Sequence, residues 1–395
     1  MVIHFGTPAN DVLQGGDGID QLIDSFHSLA SNPIDPTARA VTLASAQALV
    51  DRLRSIDLRL DGVAGNIGAE LSQVVRDVNG LASEIANLNI LIRKANGQAP
   101  DLLDRRDQAI DELSQLVDVR VVERGQGSVD VLLGGAQLVG SGAGSQPLSV
   151  TGAGPYQLAI GSPAVPVTAY GGRVAGLIDG YAAIGSRGNA TSRATGLRGQ
   201  LDDLVTGLVA AVNEIHSDYD PTTKPLQPTI TPAPSPLRTI VPLFDPAGVT
   251  AATIKLNVAV VADPTLLAAG YSTAAGDNTI ALQLAGLRNL AVPVPGGTAA
   301  NPSSPAVAAG PVAILGEYFT GMIGGLGVST RDAQVRAASQ DVLVSHLEAQ
   351  RQEVSGVSID EEMVRLIEHQ QAYSAAARLV QVADEMLKEL INLGR

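Results

Sequence analysis

The stretch GGDGIDQLI, Gly15 to Ile23, has the residue types of a calcium-binding nonapeptide turn. In such turns Asp carboxylates and backbone carbonyls hold Ca²⁺ between stacked copies. Only one copy is present, so no neighbouring turn completes the shell. The stretch reads instead as a Gly-rich loop leading into an amphipathic helix. The five histidines, at positions 4, 27, 216, 346 and 369, are scattered. Glu362 and His369 stand two helical turns apart on one face, but no second carboxylate–histidine pair converges on them, so a solvated or inter-subunit polar pair is the reading. Asp202-Asp203 and Glu361-Glu362 are adjacent pairs whose side chains diverge. Glu361 and Glu362 fall in a first helical turn, where negative charge is favoured. There is no G-x-S-x-G, no G-x-x-x-x-G-K and no G-x-G-x-x-G. No constellation of an enzyme, metal or cofactor site is legible, and none is expected.

Composition narrows the class. The 395 residues are 45% hydrophobic but only 3% aromatic, with no Trp and no Cys. Apolar content made of Ala, Val and Leu suits slender helical packing. Zero Cys removes disulfides, thiolate metal sites and Cys nucleophiles. A formal net charge of −14 argues against nucleic acid or an anionic membrane as the main partner. Met1 is not followed by a charged-then-apolar leader, so no cleavable signal peptide is expected. The most apolar stretch, PAVAAGPVAILGEYFTGMIGGLGV, is interrupted by Pro311, Glu317 and several Gly and is not read as a span.

The elements follow from periodicity. Asp35 and Pro36 are an N-cap and first-turn pair. After them Leu53, Ile56, Leu60, Val63, Ile67, Leu71, Val74, Val78, Leu81, Ile85, Leu88 and Ile92 step by three and four, a coiled-coil seam. A stutter at Val63-Ile67-Leu71, beside Gly62, Gly65 and Gly68, predicts a bend or short break. Gly97 and Pro100 end that helix and begin another, with Asp101 as its cap. VRVVERGQGSVDVLL has period two and predicts a β-hairpin around Gly125 and Gly127, with further short strands to Tyr170. Helical pattern returns at 193–219. Residues 220–242 read as a Pro/Thr-rich loop. Val241 to Ala262 is β-branched and predicts strands. GDNTIALQLAGLRN predicts a helix capped near Asp277. Residues 291–310 form another loop, and a helix runs from Ser329 to about Val354. Ser358 and Glu361 then form a capping box.

The fold class predicted is mainly α with a β insert: a long coiled-coil rod, a β-rich middle and one C-terminal amphipathic helix. The segments expected are 1–117, the first half of the helical rod; 118–192, β-rich; 193–219, a rod helix; 220–275, a Pro-rich loop and β-containing insert; 276–355, the second half of the rod; and 356–395, the closing helix.

That helix carries two apolar stripes. One is Ile359, Met363, Leu366, Gln370, Tyr373, Ala377, Val380, Asp384, Leu387 and Ile391. The other is Ile367, Ala376, Leu379, Ala383, Met386, Leu390 and Leu393. One neighbour would cover one stripe; two stripes call for burial on more than one side, by further subunits or within a large core.

GVSIDEEMVRLIEHQQAYSAAARLVQVADEMLKELI resembles the C-terminal helix of bacterial flagellar axial proteins, the rod, hook and hook-associated proteins. The pattern lies in Asp360-Glu361-Glu362, Gln370-Gln371-Ala372-Tyr373, Ala375, Ala377, Arg378 and the Leu387-Leu390-Ile391 tail. DLLDRRDQAIDELSQLVDVRVVERGQGSVDVLLGG is similar to the helix–hairpin segment of the hook-associated protein 1 family, whose members join hook to filament. SFHSLASNPIDPTARAVTLASAQALVDRL, ADPTLLAAG and GDNTIALQLAGLRN fit that family too. The resemblance runs from about Asp20 to Arg395 and is weak from 171 to 262. It implies a structural, secreted flagellar protein, outside the cell and exported without a cleavable signal, that assembles with itself in a ring. Its implied partners are the hook protein, the next hook-associated protein and an export chaperone. It implies a subunit interface on Ile359, Met363, Leu366, Ile367, Tyr373, Ala377, Val380, Leu387, Leu390 and Ile391. In the family a further helical region with a Ser/Asn-rich rod-type motif precedes the point where Met1 stands, and its first helix pairs with the closing helix. The closing helix of this chain alone is therefore expected to lack one natural partner. The alternatives are another axial protein, a hook or rod component, and a non-flagellar binding domain on a helical stalk.

Overall fold

The structure, a computed structural model, describes residues 8–393 apart from 143, 153–155, 169, 187–193, 219–240, 248, 272–273, 275, 294–311 and 356–358. Side chains at 8–16, 291–293, 312, 352–355, 359–362, 384–385 and 387–393 are also outside the description. The Pro/Thr-rich loop, most of the 291–310 loop and the Ser358 capping box lie outside the described residues.

The chain forms two units, Met1–Gly324 and Gly325–Arg395. In the first, α1 (Pro8–Ser31) packs antiparallel-fashion back onto α2 (Pro36–Lys94) through a tight turn. Asp35 caps α2 as expected: its carboxylate accepts from the Thr37 N–H at 2.9 Å. At about 1.5 Å per residue α2 is roughly 90 Å long. It is one continuous helix, so of the bend or short break expected at the stutter the break does not occur. The glycine cost of about 1 kcal/mol each is outweighed by packing on both sides, and at Gly68 the missing side chain has a use: the Tyr156 hydroxyl occupies its place. The Gly-rich loop expected at 15–18 is also helix. Gly18 is buried in α1, where even a Cβ would stand 3.2 Å from Leu49 Cδ1.

The α2 seam is buried or half-buried throughout, but not against one long partner. Its first part, to Ile56, joins α1, α5 (Gly196–Asp218), α7 (Thr279–Gly286) and the start of α8 (Leu315–Ser355) in one core. Its second part, from Ala64, joins α3 (Pro100–Leu116), α4 (Gly172–Ile184) and two small sheets in another. The rod is one long helix covered in turn by short elements.

The first sheet is antiparallel, in order β1 (Val119–Glu123), β2 (Val129–Leu133), β3 (Ala136–Gly140), β4 (Gly144–Ser145). The predicted hairpin is its β1–β2 pair, with Val121 opposite Val131. The second is β5 (Leu148–Thr151), β6 (Gln157–Ile160), β7 (Val165–Val167). Side-chain amides dock both onto α2. Asn89, fully buried, donates to Val129 O at 2.8 Å and accepts from Val129 N–H at 3.1 Å. Asn79 does the same to Leu148, at 2.8 Å each way. In the other core Asn213 of α5 clasps Phe244 at 2.9 Å each way. His216, also fully buried, accepts from Ala268 N–H at 2.9 Å, which leaves its Nδ1–H to donate to Val241 O at 3.0 Å.

Four expectations are corrected. Residues 172–184, placed in the β-rich region, are the helix α4. Its Gly172, Gly176 and Gly180 dilute a pattern that buries Val174, Leu177, Ile178, Tyr181 and Ile184. Residues 241–262 hold no strand among the described residues, only a Phe244–Leu256 bridge and the short α6 (Val258–Ala262). Asn257 caps α6 by accepting from Ala259 N–H at 3.0 Å, which overrides the β-branched composition. Ala291–Pro293, read as loop, is β8 and pairs with β9 (Val312–Ile314). The helix expected from Ser329 begins at Leu315, because Leu315, Phe319 and Met322 anchor its first turns in the core. Two caps shift by a residue or two. Ala99, not Asp101, precedes α3, with Pro100 at the first position. Asn278 precedes α7, although the Asp277 carboxylate still accepts from Thr279 N–H at 3.0 Å.

Asp130 on β2 ties the first sheet together. Its side chain is 8% exposed and accepts from Arg124 Nε at 2.7 Å and from Ser141 N–H at 2.6 Å. Burial by itself raises the carboxyl pKa. The Arg124 and Ser141 hydrogen bonds outweigh it and hold the group below its ordinary 3.8. A folded pKa below the unfolded one contributes stability that is complete above the unfolded value and lost as pH falls through the folded one. Asp130→Asn is therefore expected to flatten the melting temperature's fall below about pH 4. An unchanged acid limb would contradict this.

Candidate assembly surface

The second unit contains the rest of α8 and α9 (Ile359–Leu393). The helical form of α9 follows from its sequence. No Gly or Pro interrupts it, Ala, Leu, Glu and Gln dominate, and only Ile359, Val364, Ile367, Val380, Val382 and Ile391 are β-branched. Met363 is 56% exposed, Leu366 58%, Tyr373 80% and Val380 69%. Ile367 and Ala377 are exposed as well. Ile359, Leu387, Leu390 and Ile391 lie on the same helix, with side chains outside the description.

The geometry of the stripe is specific. Leu366, Tyr373, Val380 and Leu387 recur every seven residues, and Met363, Gln370, Ala377, Asp384 and Ile391 recur every seven beside them. That is a 3.5-residue period, the signature of a helix that supercoils left-handed with others. Leu379, Val382 and Met386 are exposed on a second flank. On α8, Val328, Val335 and Val342 also repeat by seven and are exposed, with Leu343 and Leu347 beside them. Soluble chains seldom leave large contiguous apolar patches to water.

Among the described residues no group of three or more His, Asp and Glu could hold a metal. His369 is in α9; the side chain of Glu362 is outside the description. Asp202 is a structural acceptor, receiving Ala251 N–H at 2.9 Å. No described helix is long and apolar enough to cross a membrane.

Comparison with known proteins decides the family. Residues 14–220, more than half the chain, match the model of the flagellar hook-associated protein FlgK helical domain. The chain belongs to the FlgK family of flagellar hook-associated proteins. It is a structural protein of the bacterial flagellum, and its homologues are flagellar structural proteins. Residues 348–393, which include α9, match the model of the flagellar basal body rod FlgEFG protein C-terminal region. The flagellar hook-associated protein 1 of Bacillus subtilis is 28% identical over 416 aligned residues, covering 95% of this chain and 76% of that protein. Its counterpart in Salmonella typhimurium is 28% identical over 136 residues, 33% of this chain and 25% of that protein. Among solved structures, the flagellar hook junction protein FlgK from Burkholderia pseudomallei is similar, with a TM-score of 0.45 and 25% identity over 53% of this chain and 41% of that one. The FlgK-family match covers the α2 seam, α3, both sheets, α4 and α5, so it rests on the long helix and its coverings. The rod-type match rests on α9.

Sequence reasoning marked the α9 stripe and missed the exposed valines of α8. Their sevenfold repeat was legible at Val328, Val335 and Val342, but Gly321, Gly324, Gly325 and Gly327 hid where that helix begins.

Proposed function

We propose that this protein joins the flagellar hook to the filament, copies packing side by side in a ring through α9. The interface is the stripe of Ile359, Met363, Leu366, Ile367, Tyr373, Ala377, Val380, Leu387, Leu390 and Ile391. The observation that carries this reading is the exposed sevenfold apolar repeat of α9. The ring contacts the hook protein on one side and the next hook-associated protein on the other. An export chaperone covers the apolar surface before assembly, and the chain leaves the cell without a cleavable signal peptide. The division of labour follows the segments: 1–117, 193–219 and 276–355 build the helical body, 118–192 and 220–275 its insertions, and 356–395 the assembling helix. The role is mechanical and calls for no catalytic group.

The test is genetic. In a strain whose own hook–filament junction protein is deleted, this chain is expected to restore filaments on hooks seen by electron microscopy. The same chain ending before Ile359 is expected to restore none. Equal restoration by both would remove α9 from the joint.

A further inference from the structure

The two cores of the first unit meet over one short stretch of α2. Ile56 is the last α2 residue in the first core, and Ala64 is the first in the second. Of the seven residues between them, Asp57, Arg59 and Asp61 are charged, and Leu58, Leu60 and Val63 are apolar. Asp57 is 5% exposed, and Asp61 pairs with Arg198 of α5 at 2.9 Å. Among the described residues Leu60 is the one half-buried apolar side chain packed against both cores. Buried Asp57 and Arg198 therefore place charge beside Leu60, between the two apolar clusters.

The same stretch carries Gly62 and Gly65. Both are exposed, and a Cβ at either would meet nothing within 4 Å. Packing gives no reason for them, whereas Gly68 makes room for Tyr156. Glycine in a helix interior lowers the cost of leaving helical φ and ψ, and sharp helix bends concentrate at such positions.

The return crossing, from α4 to α5, is built the opposite way. Gly185 and Gly196 have φ of 88° and 60°, and a Cβ on Gly196 would stand 2.6 Å from Ala183 O. Thr195 N–H donates to Ser186 O at 3.2 Å, and Ser186 N–H to Thr195 Oγ1 at 3.1 Å. This crossing is pinned two residues before Arg198.

We propose that α2 between Asp57 and Asn66 is a joint on which the two cores bend, with the Ser186–Thr195 contact and the Arg198–Asp61 pair as its pivot. Bending there parts little apolar surface beyond Leu60, and opens the cores as separate cooperative units. The joint does not depend on α9 or on the ring.

The chain has no cysteine, so paired spin labels can be placed without background. Gln47→Cys with Gln73→Cys spans the joint, about 39 Å along a straight helix. Gln73→Cys with Lys94→Cys lies within the second core, about 31 Å apart. All three positions are exposed. Pulsed dipolar spectroscopy is expected to give a distance distribution about twice as wide across the joint as within the core. Adding Gly62→Ala and Gly65→Ala is expected to narrow the first to the width of the second. A joint pair as narrow as the control overturns the proposal, and so does a width that the two alanines leave unchanged.

Discussion

Replacing Leu366 and Val380 together by glutamate is expected to abolish filament attachment while leaving the melting temperature unchanged. The two positions share one stripe of α9, fourteen residues apart, and both side chains lie mostly in water. A substitution at an exposed position away from any packed feature changes stability by about 0.5 kcal/mol or less. The same side chain inside a helical seam is a different matter. Each contact forfeits about 25 cal/mol for every Å² of apolar surface it covered, and it buries an unpaired carboxylate at a cost of several kcal/mol. At about 1.4 kcal/mol per tenfold, association falls by a factor of a hundred or more at each contact, and a ring multiplies the loss over its members. Purified variant and parent should show superimposable melting curves by circular dichroism. Electron microscopy of complemented cells should show bare hooks with the variant and filamented hooks with the parent. Normal filaments on the double variant would mean that α9 meets its neighbours by another face. Glu368→Ala and Gln371→Ala, off that stripe on the same helix, serve as the comparison and should assemble as the parent does.

Sequence periodicity recovered what repeats and missed what does not. The α2 seam was legible because twelve apolar positions step by three and four, and the structure buries or half-buries each of them. What covers the seam was not legible, since short helices and strands that pack by turns leave no long-range pattern on α2. The helix α4 does carry a helical apolar set at Val174, Leu177, Ile178, Tyr181 and Ile184, but three glycines and a β-rich neighbourhood argued the other way. Val258, Val260 and Val261 favour strand by composition, and one Asn257 side chain reversed the outcome by capping a helix. The α9 stripes were legible for the reason that made them hard to place within the chain: they repeat, and nothing nearby in sequence complements them. The three asparagine clasps were invisible, since a lone Asn on a helix has no period and its partner lies 31 to 69 residues away.

Those clasps carry the second large effect. Asn89→Ala is expected to destabilise the first unit by about 2–4 kcal/mol, the largest loss of the three. The Asn89 amide satisfies both backbone groups of Val129, where β2 begins, and all of these atoms are buried. Alanine leaves a donor and an acceptor without partners where water does not reach, at about 1–3 kcal/mol each, and opens a small void. Asn79 makes the same pair of bonds to Leu148 but is half-buried, so water can replace its amide and the loss should be nearer 1 kcal/mol. Asn89→Asp keeps the acceptor, removes the donor and buries a charge, and should cost at least as much as alanine. Urea unfolding followed by far-ultraviolet circular dichroism gives the free energies. Hydrogen exchange at Val129 to Leu133 should rise in Asn89→Ala ahead of global unfolding, because the clasp holds the start of β2 to α2. A loss below about 0.5 kcal/mol at Asn89 would mean that the hairpin is held to the long helix by its apolar face alone.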